Sequence, residues 1–344
     1  MTRPGPLESP RPVLSVRGLH VHYPVSVPGR RAKAVARAAD GVDLEVYAGE
    51  TLALVGESGS GKTSTANAVM RLVDPVGGQI WFEGVDLVPL RGRALRGMRT
   101  RIQMIFQDPF ESLDPRRTVL DTVVEPLEIH GRGGTAAQRR LLGLDALTRA
   151  GLTPPERFGA RYTHQLSGGQ RQRVAIAAAM ILEPALVVAD EPVSMLDVSL
   201  RAGILSVMAD LRDRLGSAYL FITHDLSLAW MFADRIAVMY LGRIVEEGAS
   251  AELIAAPAHP YTKALVSVIP VPETGRATGR TVLSGEIPSP FAIPGGCRFH
   301  TRCPLYSHLG EPEICRADDP VLQPLDTSAG AGHRAACHFT APTR

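Results

Sequence analysis

The stretch Gly56-Glu57-Ser58-Gly59-Ser60-Gly61-Lys62-Thr63 constrains this chain more than any other. It follows the pattern G-x-x-x-x-G-K-[ST], between an apolar run, Thr51 to Val55, and a segment of helical character, Ser64 to Leu72. In that setting the glycines let successive backbone N–H groups turn inward around phosphate oxygens, and the helix start adds the positive end of its dipole. Lys62 supplies a compact charge, and the Thr63 hydroxyl can ligate Mg²⁺. Outside such a context the same residues would be a glycine-rich turn that binds nothing; strand before and helix after are what the phosphate reading requires. The lysine is not casual either. Lys33, Lys62 and Lys263 are the only lysines, and every other basic position is arginine.

The surrounding pattern is that of an α/β protein. Val13 to Tyr23 alternates as a strand does, Val25 to Ala38 reads as a surface loop, and Gly41 to Val46 with Thr51 to Val55 suggests a hairpin-like approach to a buried strand. Ile102 to Phe106, Leu186 to Ala189 and Tyr219 to Thr223 are further apolar runs, ending at Gln107, Asp190-Glu191 and His224. Alternating strands and helices predict a core with its phosphate chemistry at the carboxyl ends of the strands. Residues 108 to about 165, rich in Arg, Leu and Ala, read as a helical insertion, and Ile236 to Tyr240 with Arg243 to Glu246 as a hairpin around Leu241-Gly242.

With 344 residues there is room for one large domain and an appendage. Composition shifts near residue 255, after which Pro and Gly are frequent and all four cysteines occur. The expected division is a tail at 1–12, a phosphate-binding domain at 13–255 with a helical subdomain at about 108–185, and a C-terminal domain at 256–344. A net charge of +2 provides no general field for nucleic acid or lipid. A membrane span needs about 18 apolar residues in a row; the longest candidate, Val174 to Ala189, is broken by Glu183-Pro184. The N-terminus lacks the apolar stretch of a secretory signal, so the expectation is a cytoplasmic chain, for which any membrane role must come through partner subunits.

Three more features carry chemistry. Asp190 can hold Mg²⁺ through water, and Glu191 can polarise an attacking water. By itself, a strand ending in acids is more often a solvated strand end. Leu166-Ser167-Gly168-Gly169-Gln170 precedes a long helical run, Arg171 to Leu182, and its N–H groups suit a second anion. Ser167 could equally be a simple helix cap. One nucleotide rarely needs two anion-binding helix starts, so the second makes sense facing a nucleotide held by another subunit.

With these residues in hand the chain resembles the ABC ATPases. Leu166 to Gln170 looks like their signature, about twenty residues before Asp190-Glu191. Gln107 is similar to the loop glutamine that senses Mg²⁺ and the membrane partner. Ser194-Met195-Leu196-Asp197 resembles the loop that crosses to the other subunit, with Asp197 at its end. His224, in Ile222-Thr223-His224-Asp225, matches the switch histidine, and Tyr23 the aromatic that stacks on adenine. The resemblance implies a P-loop nucleotide-binding fold with a helical subdomain. It also implies ATP and Mg²⁺ as ligands of Gly56 to Ser64, Asp190 and Gln107.

The resemblance narrows to the oligopeptide/dipeptide importer ATPases, and to the second, F-type subunit of such importers, over about residues 13–340. It rests on Phe106-Gln107-Asp108-Pro109, Ser112-Leu113-Asp114-Pro115, Met239 to Glu246, His259-Pro260-Tyr261-Thr262-Lys263-Ala264-Leu265 and Leu283 to Pro290. Met195 stands where the family usually has Ala, and Ala178 where Arg is common. Implied partners are a second, different ATPase chain, two permease subunits and an extracytoplasmic binding protein, with this chain peripheral on the cytoplasmic face of the membrane. A nickel or other small-solute importer would use a closely related ATPase. A DNA-repair ATPase would carry a long coiled coil between Lys62 and Asp190; these are 128 positions apart and no heptad run fills the gap.

Cys297, Cys303, Cys315 and Cys337 fall within 41 residues, separated by 5, 11 and 21 others. Disulfides are not expected in a cytoplasmic ATPase, and the spacing lacks the paired C-x₂-C of zinc ribbons. Free thiols and zinc both stay open on spacing alone. The family resemblance, through Gly296-Cys297-Arg298-Phe299 and Arg302-Cys303-Pro304, implies a [4Fe–4S] cluster on the four thiolates. His300, His333 and His338 could also be ligands but read as surface residues.

Overall fold

The computed structural model describes residues 11–25, 34–269, 283, 285–325 and 332–340. An antiparallel sheet of four strands, β1 (Leu14–Val25), β2 (Ala34–Val46), β4 (Gly77–Phe82) and β5 (Val85–Asp86), runs in the order β2-β1-β4-β5. A second sheet contains β3 (Thr51–Val55), β6 (Ile102–Ile105), β7 (Leu186–Asp190), β8 (Ala218–Thr223), β9 (Arg235–Tyr240), β10 (Arg243–Ala249), β11 (Gln323–Pro324) and β12 (Arg334–Ala335). Its order is β11-β12-β10-β9-β3-β8-β7-β6. The pairs from β9 through β3, β8 and β7 to β6 are parallel, and those from β9 outward to β11 are antiparallel.

The parallel strands explain why their sequences read as unbroken apolar runs. β3, β7 and β8 are buried at every position, because both faces of this sheet are covered. Alternate residues enter different cores. Ala53, Val55, Val187, Ala189, Tyr219 and Phe221 face one cluster; Leu52, Leu54, Leu186, Val188, Leu220 and Ile222 face the other, which the antiparallel sheet closes. A slip of one residue would exchange the two sets, so the register is firmly specified.

The helices are α1 (Lys62–Val69), α2 (Gly92–Met98), α3 (Pro109–Ser112), α4 (Val119–Ile129), α5 (Ala136–Arg149), α6 (Pro155–Gly159) and α7 (Gly168–Met180). They continue as α8 (Val198–Leu215), α9 (Leu226–Phe232), α10 (Ser250–Ala255), α11 (Pro260–Val266), α12 (Pro304–His308) and α13 (Ile314–Ala317). α4, α5 and α7 build a third core from Val119, Val123, Leu147, Leu166 and Val174. This helical unit lies in sequence between β6 and β7, where the insertion is expected.

Two readings are corrected. The supposed loop from Val25 to Ala38 is strand from Ala34 onward, since His22, Tyr23 and Pro24 pair with Arg37, Ala36 and Val35; residues 26–33 lie outside the described ones. Gly41 to Val46 and Thr51 to Val55 form no hairpin. The turn after Val46 carries the chain from the antiparallel sheet into the larger one, and β2 pairs with β1 instead.

The C-terminal extension shares the main core. Tyr261, Cys297, Phe299, Tyr306 and Cys315 pack in the same cluster as Val55 and Phe221, and β12 extends the sheet at β10. α11 begins at His259, whose Nδ1 accepts the Tyr261 N–H at 3.1 Å. Burial lowers this imidazole to about 4, against an opposing pull from Glu246 and with a reinforcing one from Lys263. Because the folded value lies below the ordinary one, the unfolded chain takes up the proton first as pH falls. Stability is therefore lost between about pH 6.5 and 4, by about 3 kcal/mol from this group. His259→Asn keeps a capping acceptor but does not titrate. Denaturant melts at pH 7 and pH 4 should show the variant losing about 3 kcal/mol less than wild type; equal losses would remove His259 as the cause.

Candidate nucleotide site

Four neighbouring strands deliver the predicted residues to one edge of the sheet. In sheet order, β3 leads into the phosphate loop, β8 into His224, β7 into Asp190 and Glu191, and β6 toward Gln107. All of these lie at carboxyl ends of parallel strands, where α/β sheets bind ligands. The loop, Gln107, Glu191, His224 and Tyr23 line one open cleft of about 910 Å³, together with Ala36, Ala38, Ile287 and Pro290. Ile287 and Pro290 come from a segment that had suggested kinship but no site role.

Glycine is required in the loop by close approach. A Cβ on Gly61, at φ 107°, would fall 1.9 Å from the Ala38 carbonyl oxygen, and one on Gly56 2.2 Å from that of Met239. The β9–β10 turn, with Leu241 at φ 42° and Gly242 at φ 81°, braces the loop from behind. Gly242 N–H donates to Ser60 O at 2.8 Å, and Gly242 O accepts from Asp40 N–H at 3.0 Å.

Lys62 is buried, and its ammonium donates to Gly56 O at 2.7 Å and Glu57 O at 2.9 Å. Burial pulls its pKa down, partly offset by Glu191, Asp190 and Glu57. A phosphate in the cradle would supply the counter-charge that burial withholds. Thr63 Oγ1 donates to Asp190 Oδ1 at 3.3 Å. The buried Asp190 carboxyl is pushed up by desolvation and Glu191, and restrained by Thr63 and Lys62. The hydroxyl and carboxylate together form an all-oxygen donor pair suited to Mg²⁺.

Glu191 is gripped from two sides. Its Oε1 lies 3.0 Å from His224 Nδ1, and its Oε2 accepts from Gln107 Nε2 at 3.1 Å. Its backbone sits at φ 46°, a left-handed conformation that a non-glycine residue holds only under constraint. The constraint includes Glu191 N–H donating to Ile222 O at 2.9 Å. Glu57 is held likewise, by residues the sequence had not linked to it. Its N–H donates to Tyr261 Oη at 2.9 Å, and its carboxylate accepts from Arg302 at 2.8 and 3.3 Å.

Ser167, Gly168, Gly169, Gln170 and Asp197 do not line this cleft. Ser167 caps α7 reciprocally, its Oγ accepting from Gln170 N–H and its N–H donating to Gln170 Oε1. Asp197 stands at the start of α8, beside the exposed Met195 and Val198.

The four cysteines come together as free thiols, Cys297 and Cys315 buried and Cys303 and Cys337 half-buried. Cys297 N–H donates to Cys315 O at 2.9 Å. Burial pushes the Cys297 thiol up to about 12 and raises the others, with the neighbouring sulfurs adding to it at Cys297, Cys315 and Cys337. Among the described residues no three cysteine sulfurs lie within 4.8 Å of one another, a separation a single tetrahedral ion needs. The three histidines have other partners. His300 and His338 contact the carbonyls of Cys297 and Asp318. His333, expected on the surface, is instead buried against Glu246 at 2.8 Å. His20, His22 and Asp40 also cluster within 4.8 Å. Burial raises the Asp40 carboxyl, but Arg298 at 2.6 Å and His20 outweigh it and hold it at about 2. That arginine, with Arg37 at 3.8 Å, supplies positive charge where a cation would sit, so the group is an ion-pair network.

The ABC transporter family model matches residues 39–194, and that of the oligopeptide/dipeptide transporter C-terminal region matches residues 245–308. A probable peptide ABC transporter ATP-binding protein of Sinorhizobium fredii is 45% identical over 96% of this chain and 90% of its own length. A putative peptide import ATP-binding protein of Brucella ovis is 48% identical over 95% and 97%, and the oligopeptide transport ATP-binding protein AppF of Bacillus subtilis 42% over 95% and 97%. Among solved structures, the ATP-binding cassette MJ0796, a dimer in a post-hydrolysis state with ADP and Pi, is 30% identical. It aligns with 69% of this chain and 98% of its own at a TM-score of 0.61. The chain belongs to the ATP-binding subunits of the ABC transporters, in the branch carrying the oligopeptide/dipeptide C-terminal region. It is an ATPase.

The loop geometry yields a graded test. Gly61→Ala combines a clash with an unfavourable φ and should cost about 4 kcal/mol or more. Gly59→Ala, at φ 80° with nothing within 4 Å, should cost about 1 kcal/mol. Chemical denaturation of both variants checks the ranking; equal costs would mean that close approach is not what selects glycine at position 61.

Proposed function

We propose that this chain hydrolyses ATP to drive the import of peptides through separate permease subunits. The observation that carries the hydrolytic part is the Glu191 carboxylate, held between Gln107 and His224 over the cradle of Lys62 and Thr63. In this reading Gly56 to Ser64 wrap the phosphates, Lys62 turns from the Gly56 and Glu57 carbonyls to the phosphate oxygens, and Tyr23 stacks on adenine. Thr63, Asp190 and Gln107 would hold Mg²⁺, which neutralises phosphate charge. Glu191 accepts a proton from the attacking water, and His224 and Gln107 orient the carboxylate.

Ser167, Gly168, Gly169 and Gln170 face the γ-phosphate of a nucleotide on a second ATPase subunit, with Asp197 and the exposed Met195 and Val198 at the seam. We favour a different chain as that partner. The exposed Phe106 and Phe110, flanking Gln107 in sequence, support contact with permeases. Among the described residues no helix is long and apolar enough to cross a membrane, which fits a peripheral place on its cytoplasmic face. The names of the relatives support peptides, delivered by an extracytoplasmic binding protein, as the cargo. The catalytic body, 13–255, and the extension, 256–344, are taken as working parts of one unit.

The convergent thiols suit a [4Fe–4S] cluster held by Cys297, Cys303, Cys315 and Cys337. Bound there, it would tie four separate chain segments together.

Glu191→Gln should lower ATP turnover by about 100-fold or more while ATP binding persists; unchanged turnover removes Glu191 as the base. Protein purified without oxygen should contain about four irons and absorb visible light broadly, whereas colourless, iron-free protein would refute the cluster.

A further inference from the structure

We propose that the C-terminal extension completes the nucleotide site, with Arg302 and Tyr261 acting as positioning residues through Glu57. This rests on the nucleotide reading above and adds residues that no motif of that site contains.

Glu57 is where the loop is adjusted. Its carbonyl receives both the Lys62 ammonium at 2.9 Å and the Ser60 N–H at 3.2 Å, so its orientation sets the cradle. Two groups from more than 200 positions away in sequence fix it. Tyr261 takes its N–H, and the buried Arg302 guanidinium grips its carboxylate with two nitrogens. Both are themselves immobilised. Tyr240, Tyr261 and Phe299 pack in tilted and edge-to-face contacts with ring centroids 4.8 to 5.4 Å apart, and Arg302 also reaches Tyr240 Oη at 3.5 Å. Preorganised donors of this kind reduce the ordering cost of binding.

Charge gives Arg302 a second task. Glu57 lines the cleft that would receive a triphosphate. A free carboxylate there would repel the ligand, and the bidentate arginine neutralises it. Arg302 also immediately precedes Cys303 in the chain.

This dual role has an outcome that a merely structural one lacks. In the full-length chain, Arg302→Gln should raise KM for MgATP about tenfold, with a much smaller change in kcat, because it leaves Glu57 charged and unheld. Adding Glu57→Gln should recover most of that loss, since the repulsion goes with the charge. Tyr261→Phe, which keeps the ring and removes the acceptor, should raise KM about threefold. Arg302→Lys covers the case in which Arg302→Gln does not fold; a rise of about threefold, reversed by Glu57→Gln, is expected. Unchanged KM in the arginine variants, or no recovery with Glu57→Gln, overturns the proposal. Wild-type protein that fails to bind MgATP would instead overturn the nucleotide reading itself.

Discussion

The burial of the parallel strands β3, β7 and β8 on both faces is the constraint from which the site follows. β3, β8, β7 and β6 must each contribute alternate side chains to two cores, and that requirement fixes their register and where each one ends. The chemistry occupies the first residues released from it. Asp190 is the last buried position of β7, and Glu191 and His224 are the residues just past their strands. An apolar core thereby sets the distances between polar groups: Gln107 and Glu191 meet at 3.1 Å although 84 positions separate them.

What could be read from the sequence follows the same logic. Doubly buried strands have a plain apolar signature, and the phosphate loop is a local motif flanked by one. The first half of β2 was missed because its exposed face carries Val35 and Arg37 and its other residues are mostly small alanines. β4 opens on Gly77-Gly78-Gln79 and β5 has only two residues, so neither offers a comparable run. The link from Glu57 to Arg302 was invisible for another reason. An arginine that pairs across 245 positions looks like any surface arginine until the fold folds it inward. The burial of His333 is hidden likewise, since its partner Glu246 lies in β10, 87 positions earlier. The partnership of Ser167 to Gln170 with a nucleotide cannot be read from one chain at all, because the geometry that would use it lies in two.

The site also holds its strain in identifiable places. Lys62 is desolvated and satisfied by carbonyls, and Glu191 is kept in a left-handed conformation by the strand ahead of it and the side chains beside it. Groups kept in disfavoured states can be relieved by a ligand, so binding and conformational change share one source of free energy.

The grip of Arg302 on Glu57 has a consequence for how such a chain can be made. Synthesis runs from the N-terminal side, so the phosphate loop emerges 245 residues before the arginine. Until then the loop lacks the group that orients and neutralises it, and β12 has not yet joined the sheet. A chain that has not yet reached Arg302 has the motif of the phosphate loop without the guanidinium that pairs with Glu57. The phosphate motif and the side chain that steadies it are thus separated in time of synthesis as well as in sequence.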